Sequence, residues 1–232
     1  MIPLAPSNCL TPRRLLATLS SLFVIIASST DALAQGYATS TVDGAWSYLP
    51  VSPSRRAASS AIYDPVRDRM WIYSGRDPYW SALGEVWNLT LRASPNWQGI
   101  VPNGGVSAVW GAVPGYDGAR DRFVLFSGAN SAAPFDYDNG TRVLALAGSP
   151  TWVNLPSSGA VPLPRQGSAG FIDRARDRLV IFGGKTYDGS NWAYANDVRY
   201  QDLATGVSTL AAAAGTPPAG RWFHVAISRF GS

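Results

Sequence analysis

Pairs of aspartates four residues apart, each pair followed by an arginine, are the side chains of this sequence best suited to acid–base chemistry. The stretch YDPVRDRMWIYSG at 63–75 holds Asp64, Asp68 and Arg69. Two close carboxylates can divide the acid and base roles of a hydrolytic reaction between them. The same frame recurs at 116–128 and 171–184, whereas a reaction needs its catalytic pair only once. We therefore predict a structural role for these residues and assign no catalytic residue.

The predicted role is that of a hairpin turn between two strands. A short carboxylate at the start of a turn can accept backbone N–H bonds, and we expect the second aspartate to do the same at the turn exit. The arginine that follows has carboxylates within reach for bidentate pairing. The predicted turn residues are Asp64, Asp68, Arg69, Asp117, Asp121, Arg122, Asp173, Asp177 and Arg178.

The rest of the chain offers few groups that could react or bind a metal. The only cysteine, Cys9, lies in the N-terminal segment, so the chain beyond it has no disulfide, no thiolate nucleophile and no cysteine metal site. His224 is the only histidine and could serve as a ligand or a base. It stands where two earlier copies of the same local pattern carry Ser59 and Ser168, which favours a structural role. We expect no metal and no cofactor.

The residues 1–34 have the features of a secretory signal peptide. Arg13 and Arg14 precede an apolar run at 15–29, and an Ala-Leu-Ala cleavage site ends at Ala34. An uncleaved anchor is the alternative, although the apolar run is short for a membrane span. We therefore predict a secreted or periplasmic protein, with no stable membrane span after signal cleavage.

The charge of the chain argues against nucleic acid as a partner. Removal of 1–34 takes away two of the 19 basic and one of the 15 acidic residues, leaving 17 against 14. Lys185 is the only lysine, and the basic residues form no cluster in the sequence. The expected partner is an extracellular glycan or protein.

The elements that position these residues follow from an internal repeat. The second aspartate of the frame falls at Asp68, Asp121 and Asp177, at intervals of 53 and 56 residues. A tryptophan marker runs in phase with it, at Trp97 and Trp152. Each unit contains β-branched and aromatic runs separated by Gly, Pro and Asn, which favours four strands per unit. A period near 50 with four strands is typical of a kelch-type propeller blade.

Particular motifs resemble those of kelch repeats. These are FGG at 182–184, NDV at 196–198 and the tryptophan strand, while the D-x-x-x-D-R turn resembles the bacterial, secreted branch near the galactose oxidase central domain. The resemblance covers roughly 45–230 and implies an all-β, kelch-type β-propeller in a domain at 35–232. Its complete four-stranded blades are expected at about 55–100, 106–155 and 163–210. A partial blade is expected from 45–50 and 219–232, with Trp46 and a first strand at 221–227, so we expect a truncated piece of a longer propeller.

The candidate ligand-binding residues lie in the loops between the second and third strands of each repeat. These loops, at 76–84, 129–140 and 185–196, vary in sequence and combine aromatic rings with polar residues. Such rings suit sugar or peptide groups, and loops on a rigid scaffold are where function concentrates. The alternative is that the rings pack beneath their own loops. The candidates are Tyr79, Trp80, Tyr137, Tyr187, Trp192 and Tyr194.

Two classes of function follow. The first is a secreted, non-catalytic module that binds a glycan or a protein. The second is a fragment of a carbohydrate-active enzyme, resembling a sialic-acid epimerase or an oxidase. The copper site of the oxidase family needs two histidines, two tyrosines and a cysteine, and the single histidine and absence of a mature cysteine argue against it. The sequence therefore favours the binding module.

Overall fold

The computed structural model describes residues 49–91, 94–130 and 137–228. It is 2% helical and 50% strand, with several antiparallel sheets, none of them closed. The all-β prediction is therefore confirmed. Among the described residues, no helix is long and apolar enough to cross a membrane. The predicted signal peptide at 1–34 and Trp46 lie outside the described residues.

The first two sheets each contain four antiparallel strands, and the strands follow one another in chain order. Consecutive strands pair antiparallel, so each of these two sheets is a simple meander. The first sheet contains β1 (Ser60–Asp64), β2 (Arg69–Tyr73), β3 (Val86–Thr90) and β4 (Asn96–Ile100). The second contains β5 (Val113–Asp117), β6 (Arg122–Ala129), β7 (Tyr137–Ala145) and β8 (Thr151–Leu155).

The third sheet repeats this meander with two short additional strands. The short strand β10 (Arg165–Gln166) pairs with the far end of β12 (Arg178–Tyr187). The short strand β9 (Ser158–Gly159) pairs in parallel with β14 (Val207–Leu210). Its strands are β9 (Ser158–Gly159), β10 (Arg165–Gln166), β11 (Ala169–Asp173), β12 (Arg178–Tyr187), β13 (Trp192–Asp202) and β14 (Val207–Leu210). A 3₁₀ turn at Arg174–Arg176 joins β11 to β12.

The strand predicted at 221–227 is not formed. The described residues contain no second strand that pairs with this segment, and a strand needs such a neighbour for its ladder. The segment instead joins the rest through single backbone bonds, from Phe223 N–H to Gly167 O at 2.7 Å and from Gly184 N–H to Arg221 O at 2.8 Å.

The core consists of two apolar layers, one on each side of the second sheet. Alternate residues of β6 supply both layers, because side chains on a strand point to opposite faces in turn. Phe123 and Leu125 pack in the layer that includes Trp71 and Tyr73 of the first sheet. Val124 and Phe126 pack in the layer that includes side chains of the third sheet, Leu179, Ile181 and Leu203. The second sheet is therefore buried on both faces.

The first aspartate of each charged turn accepts backbone N–H groups of its own turn. Asp64 Oδ1 accepts the Val66 N–H at 2.9 Å and the Arg67 N–H at 3.2 Å. Asp117 accepts the backbone N–H groups of the two corresponding residues of its own turn, and Asp173 accepts the Arg176 N–H. These bonds satisfy turn donors that would otherwise lack a partner.

The prediction for the second aspartates is wrong. Asp68, Asp121 and Asp177 have left-handed backbones, with φ of 51°, 48° and 48°. Their carbonyl oxygens, not their carboxylates, accept the N–H of the residue after the third strand. The carboxylates of Asp121 and Asp177 point instead toward the preceding repeat. This contact joins residues more than fifty positions apart, so the local pattern did not reveal it.

The bidentate pairs are made by a different arginine from the one predicted. Arg120 Nη1 and Nη2 donate to the two Asp177 carboxylate oxygens at 2.7 and 2.6 Å, and Nη1 also reaches Asp117 of its own turn at 3.1 Å. Arg67 bridges Asp64 and Asp121 in the same way. We call these contacts the lateral ion pairs, since each connects one sheet to the next.

The predicted arginines form no bidentate pair with an aspartate among the described residues. Arg122 and Arg178 each donate only Nε to the first aspartate of their own turn, at 2.8 and 3.0 Å. The Nε of Arg69 is buried and has no hydrogen-bond partner within the described residues. Arg122 also donates Nη2 to Leu203 O of the third repeat at 2.6 Å, so it links two repeats, whereas the ion pair of Arg178 stays within its own turn.

A second link between repeats is a chain of backbone hydrogen bonds. Gly111 N–H donates to Ala58 O, Gly167 N–H to Gly111 O, and Phe223 N–H to Gly167 O, at 2.9, 2.8 and 2.7 Å. All four residues have left-handed backbones, and they lie at equivalent positions before the inner strand of each repeat. We call this series the left-handed chain. It shows that Phe223 begins a fourth copy of the pattern.

We expect Arg120→Ala to lower the free energy of unfolding by about 1–2 kcal/mol, because it removes the bidentate pair with Asp177 and one of the two arginine partners of the buried Asp117. Arg176→Ala is the matched control. Arg176 holds the same place in its turn, is 62% exposed and contacts only Asp173 of that turn, at 3.3 Å, so its replacement should change the stability by less than about 0.5 kcal/mol. Urea denaturation measures both. Equal losses in the two variants would contradict the lateral role.

The lateral ion pairs should also make stability depend on pH. Hydrogen bonds from Arg67 and Arg120 hold the pKa values of Asp121 and Asp177 below the ordinary value. A lowered folded-state pKa gives stability that is fully present above the unfolded pKa of about 3.9 and is lost as the pH falls below it. The stability difference between the wild type and Arg120→Ala should therefore shrink between about pH 5 and pH 2. Denaturation across this range tests it, and a difference that stays constant would refute it.

The left-handed chain predicts a large effect of substitution at one of its positions and a small effect at another. A Cβ on Gly167 would lie 3.2 Å from Phe223 N in a left-handed backbone, so Gly167→Ala should cost about 1–2 kcal/mol. At position 58, glycine adopts the left-handed backbone more readily than alanine but has more conformational entropy in the unfolded state. These effects oppose each other, so the free energy of unfolding of Ala58→Gly should stay within about 0.5 kcal/mol of the wild-type value. Thermal unfolding compares the two, and a tolerated Gly167→Ala would argue against the close approach.

Candidate functional site

In all three sheets the second strand ends, and the third strand begins, at the same end of the molecule as the left-handed chain. Backbone bridges fix this arrangement in each repeat, since Ala57 pairs with Arg76, Trp110 with Ala129 and Gln166 with Lys185. We call this end the hairpin face. The charged turns lie at the opposite ends of the same strands, so the face is separated from the lateral ion pairs.

The six candidate residues differ in exposure on this face. Tyr79 is 86% exposed, Trp80 49%, Trp192 43% and Tyr194 54%, whereas Tyr187 is half-buried. These rings are within reach of a ligand. Tyr137 is only 7% exposed, so it does not present a ring to solvent.

The buried Tyr137 supports its neighbours. Its hydroxyl accepts a hydrogen bond from Gln166 Nε2 at 2.6 Å, and burial raises the pKa of its hydroxyl to about 12. The ring centroid lies 4.8 Å from that of Trp192. Tyr137 therefore forms the floor beneath Trp192, which corrects its prediction as an exposed ring. The Tyr137 ring is buried because it packs against Trp192 of the next repeat.

The aromatic residues of the third repeat lie in a β-hairpin and not in a loop. The ladder between β12 and β13 continues to its tip, pairing Lys185 with Tyr194 and Tyr187 with Trp192. Residues paired in this way, and those two apart on each strand, share one face of the hairpin. As a result Tyr187 and Trp192 stack with centroids 4.3 Å apart, and the Lys185 ammonium lies 4.4 Å from the Trp192 centroid.

The tip of this hairpin is held by Asp188. Its Oδ1 accepts the N–H groups of Ser190 and Asn191 at 2.8 and 2.7 Å. The Asn191 and Ser190 bonds hold the pKa of this carboxyl below its usual value. In the first repeat, Asp77 Oδ1 accepts the N–H groups of Tyr79 and Ser81 in the same manner. These carboxylates are occupied with shaping the loops that carry the exposed rings.

Trp80 is held over an arginine in the first repeat. The Arg76 guanidinium lies 3.6 Å from the Trp80 centroid and 5.6 Å from that of Trp110. The two indoles also contact each other edge to face, at 5.8 Å. Trp110 is buried at 3% exposure, so the exposed part of this group consists of Trp80 and the half-buried Arg76.

Sequence reasoning missed several residues of the face, namely Arg76, Trp110, Lys185, Trp222 and Phe223. Trp222 lies 6.0 Å from Tyr194 between centroids, and 4.9 Å from Phe223. A signal was available, since Trp110 and Trp222 occupy the same position of the repeat, 112 residues or two repeats apart. Each of these tryptophans stands directly before a residue of the left-handed chain, Gly111 or Phe223. The sequence pattern did not reveal that chain of hydrogen bonds.

His224 lies at the edge of the face. Its ring contacts Phe182 edge to face at 5.0 Å, and its side-chain nitrogens are buried without a hydrogen-bond partner in the described part of the chain. Burial lowers its pKa, with the nearby Arg221 acting in the same direction. Residues 49–91, 94–130 and 137–228 contain no group of three or more His, Cys, Asp or Glu side chains that could hold a metal.

A cavity of about 790 Å³ lies away from the hairpin face. It follows the inner strands β5 and β11 to the turn at Asp173, where Tyr116, Ile172 and Tyr200 line it. Asp173 is committed there to the Arg176 N–H and to the Arg178 side chain. The cavity has none of the exposed rings of the hairpin face, which remains the better candidate site.

Comparison with known proteins informs the fold and not the site. No family model matches the sequence, and no curated protein matches it either. Solved structures do match. One of them, titled "Structure of YjhT", has a TM-score of 0.54 and 16% identity, and the match covers 75% of this chain and 51% of that one. The chain therefore spans about half the length of that structure, and at this identity the likeness concerns the fold alone.

Proposed function

We propose that this chain forms consecutive blades of a secreted, kelch-like β-propeller whose hairpin face binds a glycan. The repeated four-stranded sheets, linked in register at equivalent positions, support the propeller. The similarity to a larger solved structure at a TM-score of 0.54 agrees with such a fold. Secretion rests on the signal-like segment at 1–34.

The observation that carries the binding function is the set of exposed rings on one face. Tyr79, Trp80, Trp192 and Tyr194 all remain accessible, although each is large enough to contribute to a core. Clustered exposed rings on a folded protein mark an interaction site. Here they are held by bonded loop tips and by a paired hairpin, so little side-chain entropy is lost when a ligand stacks on them.

A glycan fits this face better than an extended protein surface. The rings form two groups, one at 76–84 and one on the hairpin of β12 and β13, and each group includes a cation, Arg76 or Lys185. A pyranose presents apolar C–H groups to a ring face and hydroxyls at its rim, which matches this mixture of flat apolar area and hydrogen-bonding edges. Each ring would hold one sugar weakly, so several rings together would be needed for useful affinity.

The test is glycan binding by the full chain and by Trp80→Ala, Trp192→Ala and the double variant. Loss of a stacked ring should weaken binding about tenfold per site, which corresponds to about 1.4 kcal/mol. Tyr63→Ala is the matched control, since Tyr63 is 53% exposed but lies at the charged-turn end of β1. A glycan array followed by calorimetry measures the effect.

Unchanged glycan binding in the double variant would overturn this face as the site. Capture of a surface protein that is weakened by the same substitutions, with no glycan bound, would identify the face correctly but replace the ligand. Circular dichroism of each variant establishes that the fold is kept, because both indoles are about half exposed and carry little of the core.

A further inference from the structure

Two cations occupy equivalent positions on the hairpin face. Arg76 follows Gly75 and Lys185 follows Gly184, in each case directly after the small-residue pair at the end of the second strand. Arg76 pairs through the backbone with Ala57, and Lys185 pairs with Gln166. Ala57 and Gln166 each stand directly before a residue of the left-handed chain, Ala58 or Gly167. The chain has a single lysine, and it stands at one of these positions.

Each cation lies close to two tryptophans, one from its own repeat and one from the next repeat. The Lys185 ammonium is 4.4 Å from the centroid of Trp192, in its own hairpin, and 5.4 Å from that of Trp222, in the next repeat. Arg76 has the same relation to Trp80 of its own loop and to Trp110 of the next repeat. The same arrangement is therefore built twice from different residue types, which a chance contact between one cation and one ring would not produce.

Neither cation has a carboxylate partner within the described residues. Most of the other basic side chains do form ion pairs, and those pairs occupy the nearby acids. The paired arginines are Arg56, Arg67, Arg120, Arg122, Arg142, Arg165, Arg176, Arg178 and Arg199. Asp77 and Asp188, the acids of the two hairpins that carry the cations, each accept two loop N–H groups with Oδ1.

This arrangement leaves both charges ready for an anion. The indoles remove part of the water around each cation, and a partly desolvated cation attracts an anion more strongly than a fully hydrated one. Both side chains remain half-buried and not enclosed, so a ligand can reach them. In the intervening repeat the equivalent residue is Ala129, which carries no charge.

We infer that the hairpin face recognises an acidic saccharide, with sugar rings stacked on Trp80 and Trp192 and sugar carboxylates paired to Arg76 and Lys185. The inference rests on the proposed glycan function and specifies its ligand class. The guanidinium of Arg76 can meet a carboxylate with two parallel N–H bonds, whereas the Lys185 ammonium acts as a point charge.

The test compares oligogalacturonate with its carboxyl-reduced, neutral counterpart, by calorimetry on the full chain. The acidic oligomer should bind at least about tenfold more tightly, since a charge-assisted hydrogen bond is stronger than a neutral one. Its affinity should fall as salt rises, while that of the neutral oligomer should not. Lys185→Met and Arg76→Met keep the alkyl stem against the indoles and should remove most of this preference.

Two controls isolate the charge at these positions. Lys185→Arg should retain the preference for the acidic oligomer. Arg174→Met removes one positive charge at the exposed turn between β11 and β12, at the opposite end of the sheet, and should leave both affinities unchanged. Circular dichroism verifies the fold of every variant.

The outcomes separate this inference from the proposed function. Equal binding of the acidic and neutral oligomers, both weakened by Trp192→Ala, would refute the anion sites and keep the glycan face. An acidic preference that survives Lys185→Met and Arg76→Met, or that Arg174→Met removes equally, would refute them as well. Absence of binding to either oligomer, together with an empty glycan array, would overturn both proposals.

Discussion

The lateral ion pair is the interaction on which the arrangement of the sheets depends. One arginine holds the carboxylate that shapes its own turn and, with both terminal nitrogens, the second aspartate of the next repeat. That aspartate stands in a left-handed backbone at the turn exit, where its carbonyl oxygen accepts an N–H from beyond the third strand and its carboxylate meets the arginine. The pair therefore sets the distance between adjacent sheets at one end of their strands.

The left-handed chain performs the same task at the other end. Its backbone bonds connect equivalent residues of successive repeats, so each sheet is fastened to its neighbour at two places with the apolar layers between them. Tight interdigitation of Phe123, Leu125, Val124 and Phe126 with both neighbouring sheets fills that space. The rings of the hairpin face stand on this fixed base, which explains how short hairpins can hold large exposed side chains in defined positions.

Much of this fold could be predicted from the sequence, because strand patterns and turn residues act locally. The strand content, the repeat and the role of Asp64, Asp117 and Asp173 all depend on residues within a few positions of one another. The roles of Asp121 and Asp177 could not be predicted, since their partners lie in another repeat. The same reason explains Tyr137, whose burial depends on Gln166 and Trp192, and the Lys185 site, which needs Trp222. Sequence patterns therefore identified the exposed rings Trp80 and Trp192 but not the residues that surround them.

The connection of equivalent positions has a consequence for how such a chain can change in length. Each bond between repeats joins one residue to its counterpart in the next unit, so a duplicated or deleted unit of 53 or 56 residues would find the same donors and acceptors on both sides. Stability then accumulates by nearest-neighbour contacts, as in a one-dimensional array. Genetic recombination between units could therefore alter the size of the array, and with it the number of ring-bearing hairpins, without redesigning any single interface.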